Sequence, residues 1–342
     1  RHAGYVRRRA ARAREMQRID QQRGRGAAGR VDDRECVVDR LHFGEESELQ
    51  RHARALRPEG PRPGAGPRAA ARAVPPRGRP PPGAVRAFDW SFDLAEMALE
   101  AAQGMKFSNH SYGTEGGWLP QADANETDIS GFGRGTPIWF GDPSLSTQED
   151  ANFGVYGFDA AGWDAFAFAA QEFLPVRAAG NERGNSGPSA HAEFVNGQWR
   201  RVTAARPADG GSTGFDTILG AAGAKNVLTV GNVNDGTSYT GPSSVVANAS
   251  SSFGPVDDGR IKPDVVANGT GGIAPTSAGN TSYGTFGGTS MAAPSVTGAL
   301  ALIAEREEQL NRTGLPGPLA FGPQSFARAA TYKGLLIHTA DE

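Results

Sequence analysis

Gly284-Thr-Phe-Gly-Gly-Thr-Ser-Met-Ala-Ala-Pro-Ser-Val-Thr-Gly298 decides how this 342-residue chain is read. A glycine pair and a threonine lead into Ser290, and a long apolar stretch follows at once. The layout predicts a helix over Ser290–Glu305, apolar on most sides as a central helix is. A hydroxyl in the first turn of such a helix meets unpaired backbone N–H groups and the positive end of the helix dipole, which favour developing negative charge. Gly287 and Gly288 let the entering backbone turn tightly and a ligand approach closely. Pro294 is read as falling in or near the first turn, where its missing N–H costs little.

Other serine chemistries fit this stretch poorly. A nucleophile elbow needs glycine two residues after the serine, and Ala292 stands there. A Ser-x-x-Lys site fails because Ala293 occupies the lysine position. The heptad Gly288-Thr-Ser-Met-Ala-Ala-Pro294 instead resembles the nucleophile motif of the subtilisin-like serine proteases, whose pattern Gly-Thr-Ser-Met-Ala-x-Pro is complete here. That resemblance makes Ser290 the expected nucleophile of an endopeptidase.

Working outward, residues from 84 on read as alternating strands and helices. Strands are expected at Ala84–Asp89, Met105–Tyr112, Leu174–Gly180, Asn226–Gly231 and Pro263–Ala267. Pro175 argues against a regular central strand at Leu174–Gly180. Helices are expected at Phe92–Gln103, with Leu94, Met97, Ala98 and Ala101 on one face, and at Ala160–Phe173. The long Gly-, Trp- and Asp-rich stretch 113–158 is expected to be a surface insertion near the site. Strands separated by helices imply a three-layer α/β architecture, a mainly parallel central sheet flanked by helices. Ligands of such sheets bind beyond the carboxyl ends of the strands, where Ser111–Gly113, Gly180–Asn181 and the loop before Ser290 converge.

Acyl transfer from a peptide needs a nucleophile, a base, an orienting group and donors for the oxyanion. Val176-Arg-Ala-Ala-Gly-Asn181 ends a strand about 110 residues before Ser290. A Gly-Asn pair by itself is a common turn, but at this place it resembles the subtilase segment that supplies the oxyanion asparagine, which makes Asn181 that donor. Phe107-Ser-Asn-His-Ser-Tyr-Gly113 resembles the family's substrate-pairing strand. Extended peptides are held by main-chain hydrogen bonds and sorted by side-chain pockets. The resemblance makes Ser111, Tyr112, Gly113, Ala178, Ala179 and Gly180 walls of the main specificity pocket. His110 is read as a packed strand histidine rather than the base. Further resemblance lies in Ala224–Gly231, Ser252–Pro255 and Gly259–Ala267. In all it covers 85–342, and it extends in particular to bacterial members with a tryptophan-rich insertion.

The family's catalytic histidine and aspartate have no recognisable motif in the chain. Spacing places the base near residue 60, where there is no histidine. Asp39, after Val37-Val38, is the one strand-end aspartate to consider, and Arg40-Leu41 replaces the expected turn after it. Composition shifts over the same stretch. Residues 1–86 hold 21 arginines, no lysine and 10 acidic residues, a balance of +11, against −13 for the remainder. Nine prolines fall within Pro58–Pro82. Residues 1–84 are therefore expected to be either disordered or an out-of-frame translation, since GC-rich codons read in the wrong frame give Arg, Pro, Ala and Gly without Lys. Both ends of the chain read as cut.

A protease on protein or peptide substrates is the leading expectation. An inactive or truncated relative that only binds extended peptides is the alternative. A nucleic-acid partner is not expected, because the arginine-rich arm has few aromatics and no helical periodicity. No run approaches the roughly 18 apolar residues of a membrane span. The resemblance implies a monomer, secreted or at the cell surface, although no signal peptide is recognisable. One cysteine, Cys36, excludes an intramolecular disulfide framework. No cofactor or metal ligand is legible. Calcium is implied by the resemblance alone, and Asp257-Asp258 reads as a solvated turn.

Overall fold

The helices and strands expected after residue 92 form with shifted bounds, and the helix expected at Ser290–Glu305 runs on to Thr313. The structure, a computed structural model, describes residues 86–88, 92–126, 128–236, 238–276, 278–313 and 327–340. Asp39, the base position near residue 60 and the segment 1–84 lie outside them. Helix α1 spans Asp93–Ala101 and β1 spans Phe107–His110. Asp93 and Glu96 fall in the first turn of α1, where the helix dipole favours acids. Then come α2 (Gln121–Glu126), β2 (Ile138–Trp139), α3 (Phe158–Ala169), β3 (Leu174–Ala178), β4 (Ala190–Val195) and β5 (Gln198–Thr203). Strands β6 (Leu228–Val233), β7 (Val265–Asn268), β8 (Gly272–Pro275) and β9 (Tyr283–Phe286) precede α4 (Thr289–Thr313) and α5 (Ala329–Thr339).

The central sheet has the order β1-β3-β6-β7, and every pair in it is parallel. Alternation along β3 divides the core into two layers. Leu174, Val176 and Ala178 join Leu228 and Val230 of β6 against Ala292, Ala293, Val296 and Leu300 of α4 and Tyr332 of α5. Behind the sheet, Met97 of α1 packs with Ala160, Trp163 and Phe166 of α3 and with Phe173. The three layers are therefore α4 and α5, the sheet, then α1 and α3, as the alternation implied.

Three expectations need correction. Leu174–Ala178 is a central strand despite Pro175. Leu174 N–H donates to Lys106 O on the β1 side, so the missing donor of Pro175 faces β6, whose pairing begins only at Val176 opposite Leu228. Arg86–Phe88, the described part of the first expected strand, is irregular. Helix α4 is longer than expected, and it is not enclosed on most sides: its inner face is buried, but Leu302 on the outer face is 67% exposed.

The insertion does not stand alone. Its β2 pairs parallel with β4, and β4 pairs antiparallel with β5 in a second excursion that the sequence reading passed over. The turn between them is Asn196-Gly197, with φ of 51° and 81°, the dipeptide that favours two-residue hairpins. Leu119, Ile138, Phe140 and Ala192 form the core of this small sheet.

Candidate active site

Ser290 takes its position from what surrounds the first turns of α4. Gly288 has φ of 106°, a backbone that side-chain-bearing residues rarely adopt, and Thr289 then opens the helix. Ser290 is 4% exposed, and its Oγ donates to Ser111 O at 3.3 Å. In return Ser111 Oγ donates to Ser290 O at 2.9 Å. Pro294 explains why that carbonyl is available. It is the sixth residue of α4, near the first turn but just past it. A residue with an N–H at that position would bond Ser290 O; proline cannot, and Ser111 fills the vacancy.

Asn181 follows β3 across Gly180, which has φ of 108°. Its Oδ1 accepts from Thr289 N–H at 2.9 Å and from Thr289 Oγ1 at 3.2 Å, while Gly180 N–H donates to Thr289 Oγ1 at 3.2 Å. With its oxygen held twice by Thr289, the amide keeps Nδ2 as its donor group. Thr289 is thus a positioning residue that sequence reading left unassigned, although it lies inside the motif.

An open cleft lies over this end of the sheet. Ser111–Gly113 line it from the exit of β1, Ala178–Asn181 from the exit of β3, and Ser290 from α4. All eight residues singled out by sequence border one space. The insertion contributes Trp118, Leu119 and Phe140, and Glu182 adds a carboxyl. Burial pushes the Glu182 carboxyl up to about 7, against the hydrogen bond donated by Ser252 Oγ at 2.7 Å. Arg177 completes the lining.

His110 lies on the other side of the sheet. Asn109 and Ser111 face α4, where Thr297 and Ser290 meet them; His110 alternates to the opposite face. There its Nε2 shares a 2.7 Å hydrogen bond with Ser108 Oγ and its Nδ1 a 2.6 Å bond with Tyr112 Oη. Its ring meets Trp163 edge-on. Burial, and then the Arg177 charge, hold its pKa well below the usual 6.5. His191 pairs with Glu193 at 2.9 Å inside the accessory sheet, and His338 is in the last turn of α5. Among the described residues no histidine bonds Ser290. Nor do three or more His, Cys, Asp or Glu side chains converge there as a metal would need, so calcium gains no side-chain cage among them. No helix of the described residues is long and apolar enough to cross a membrane.

Comparison with family models matches residues 85–342 to Peptidase_S8, the subtilase family. The chain belongs to the subtilases. No curated protein matches this subtilase. Solved structures similar to it include Sphericase, 19% identical over 53% of this chain and 43% of that chain, with a TM-score of 0.32. The patellamide maturation protease PatA is 19% identical over 56% and 48%, with a TM-score of 0.34. The S41 psychrophilic protease is 17% identical over 75% and 56%, with a TM-score of 0.36. This subtilase chain spans about half the length of those proteins.

Proposed function

We propose that the chain is a serine endopeptidase that cleaves extended peptides through an acyl-enzyme on Ser290. The observation that carries this reading is the common cleft: Ser290, Asn181 and the exits of β1 and β3 border one space, on a chain whose family cleaves peptide bonds. Substrate backbone pairs with Ser111–Gly113, and the residue on the acyl side of the scissile bond drops between that segment and Ala178–Gly180. Attack by Ser290 Oγ on the carbonyl carbon, with the hydroxyl proton passing to a base that lies outside the described residues, moves charge onto the carbonyl oxygen. Asn181 Nδ2–H, aimed by the two bonds on Oδ1, donates to that oxygen together with an N–H at the start of α4. Collapse of the adduct, with that proton passed on to the nitrogen, expels the amine, and water then releases the acyl group as a carboxylic acid. No metal takes part in this reading.

The proton on Ser290 Oγ rests against Ser111 O, a carbonyl that cannot take it. That contact favours a second reading, a subtilase that binds extended peptides without cutting them. A fluorophosphonate probe separates the two. Labelling of Ser290, mapped by mass spectrometry and accompanied by cleavage of casein, supports the protease. Peptide binding with an unlabelled Ser290 supports the binding protein.

A further inference from the structure

The insertion side of the cleft hangs on two buried acids. Gly117 N–H donates to Asp150 Oδ2 at 3.0 Å, and the next amide, Trp118 N–H, donates to Asp209 Oδ2 at 2.8 Å. Asp150 is 1% exposed and Asp209 4%. Asp150 belongs to the insertion, whereas Asp209 is tied to the chain that leaves β3. Its N–H donates to Asn185 O at 2.8 Å, and its carbonyl accepts from Gly184 N–H at 2.9 Å. The Asp209 carboxyl also packs onto Gly117, where a Cβ would lie 2.2 Å from Oδ1. The two acids therefore join the stretch carrying Gly116, Trp118 and Leu119 to the one carrying Asn181 and Asn185, and all five residues line the cleft.

Two buried carboxyls on adjacent amides do not both ionise cheaply. Oδ1 of Asp150 accepts from Asn152 N–H at 3.0 Å and from Asn152 Nδ2 at 2.9 Å, bonds that suit a charged carboxylate. Asp209 is the member that keeps its proton. Burial pushes its carboxyl up to about 9, against the Trp118 hydrogen bond and with help from the Asp150 and Glu182 charges. Glu115, on the loop itself, is a further acid at the cleft. Cations on adjoining stretches are engaged elsewhere. Arg183 lies over the Phe253 ring at 4.4 Å, and Arg206 bonds Glu193 at 2.8 Å, a carboxylate that also holds His191. Once out of this site the Asp209 carboxyl titrates near the ordinary 3.8. The hold is therefore full below about pH 4, weakens up to tenfold per unit as pH rises, and levels off above about pH 9.

We infer that Asp150 and Asp209 form a proton-dependent latch on the cleft: protonated Asp209 holds the Trp118 loop closed, and loss of that proton drives the two carboxylates apart and opens the insertion wall. The effect on ligand rests on the peptide-binding reading; the opening itself does not. Hydrogen exchange read by mass spectrometry on the full chain, without ligand, follows a fragment covering 113–119 at pH 6, 7.5 and 9. Asp209→Asn keeps an oxygen for Trp118 N–H but cannot ionise, and measuring it beside the native chain cancels the intrinsic effect of pH on exchange. The native-to-variant ratio should climb at least about tenfold from pH 6 to 9, and a constant ratio overturns the latch. If circular dichroism shows the variant unfolded, the same climb relative to the native fragment covering β6 decides the matter. Anisotropy with a blocked, uncharged labelled peptide should show at least a tenfold loss of affinity over this range in the native chain and in Glu182→Gln, but not in Asp209→Asn. A loss that Glu182→Gln abolishes belongs to that carboxyl and overturns the latch as the control of binding. A climb in exchange with no peptide binding at any pH upholds the latch and sinks the peptide-binding reading.

Discussion

Ser111 and Ser290 exchange hydrogen bonds across 179 residues of sequence, each hydroxyl donating to the other's carbonyl. The exchange depends on Pro294, which leaves the Ser290 carbonyl without its helical partner. Ser111→Ala should therefore strand a buried acceptor and cost about 1–3 kcal/mol. Adding Pro294→Ala to that variant supplies the helical N–H and should recover much of the loss. Urea melts of the two single variants and the double variant measure the coupling; additive losses would show that the two sites are independent.

Asn181→Asp keeps Oδ1 as acceptor for Thr289 but removes the amide donor from the cleft. Under the acyl-enzyme reading, the acylation rate with an activated ester should fall about 10²–10³-fold. Stability should change little. Single-turnover kinetics check the first expectation and thermal melts the second; an unaltered rate would remove Asn181 from the oxyanion role.

His110 makes stability depend on pH in a definite direction. Its folded pKa lies well below 6.5, so the unfolded chain binds the extra proton more readily. The stability that depends on a neutral His110 is present above about pH 6.5 and is lost as pH falls toward the folded pKa, by about 1.4 kcal/mol per unit. His110→Gln can still bond Ser108 and Tyr112 and should flatten that slope. Denaturant melts at several pH values between 5 and 8 decide it. Fluorophosphonate labelling of Ser290 should survive the substitution, as expected of a group on the far side of the sheet.

Glu307 is fully buried and accepts from Tyr332 Oη, from Ala327 N–H at 2.5 Å and from Lys106 Nζ at 3.4 Å. It ties α5 and the chain before it to α4. Glu307→Ala strands all three donors and should cost about 3–5 kcal/mol. The loss should appear in chemical denaturation, with peptide binding retained in whatever fraction stays folded.

Most of the sheet and the site lay open in the sequence, because both are written locally. Ser290 carries its own glycine turn and helix start, and strand ends such as Val176–Asn181 are apolar runs closed by glycine. What escaped was set by partners remote in sequence. Nothing near Pro175 reveals that its missing donor precedes the pairing of β6. Pro294 likewise looks like an early-turn proline until Ser111 is found against Ser290 O. Thr289 was in view but gained a role only once Asn181 was beside it. The β4–β5 hairpin is a different case: Asn196-Gly197, between runs containing Phe194 and Trp199, was a legible signal that went unread.

The exits of β1 and β3 and the start of α4 come from three stretches spread over some 180 residues of sequence, and parallel strands bring them together only after long crossovers. During synthesis, the segments with Ser111 and Asn181 leave the ribosome well before Ser290 does. A nascent chain halted before α4 has no nucleophile, and one halted within it has no helix to hold Thr289 against Asn181. Under the acyl-enzyme reading, then, reactivity of Ser290 would report that α4 has docked against the exits of β1 and β3.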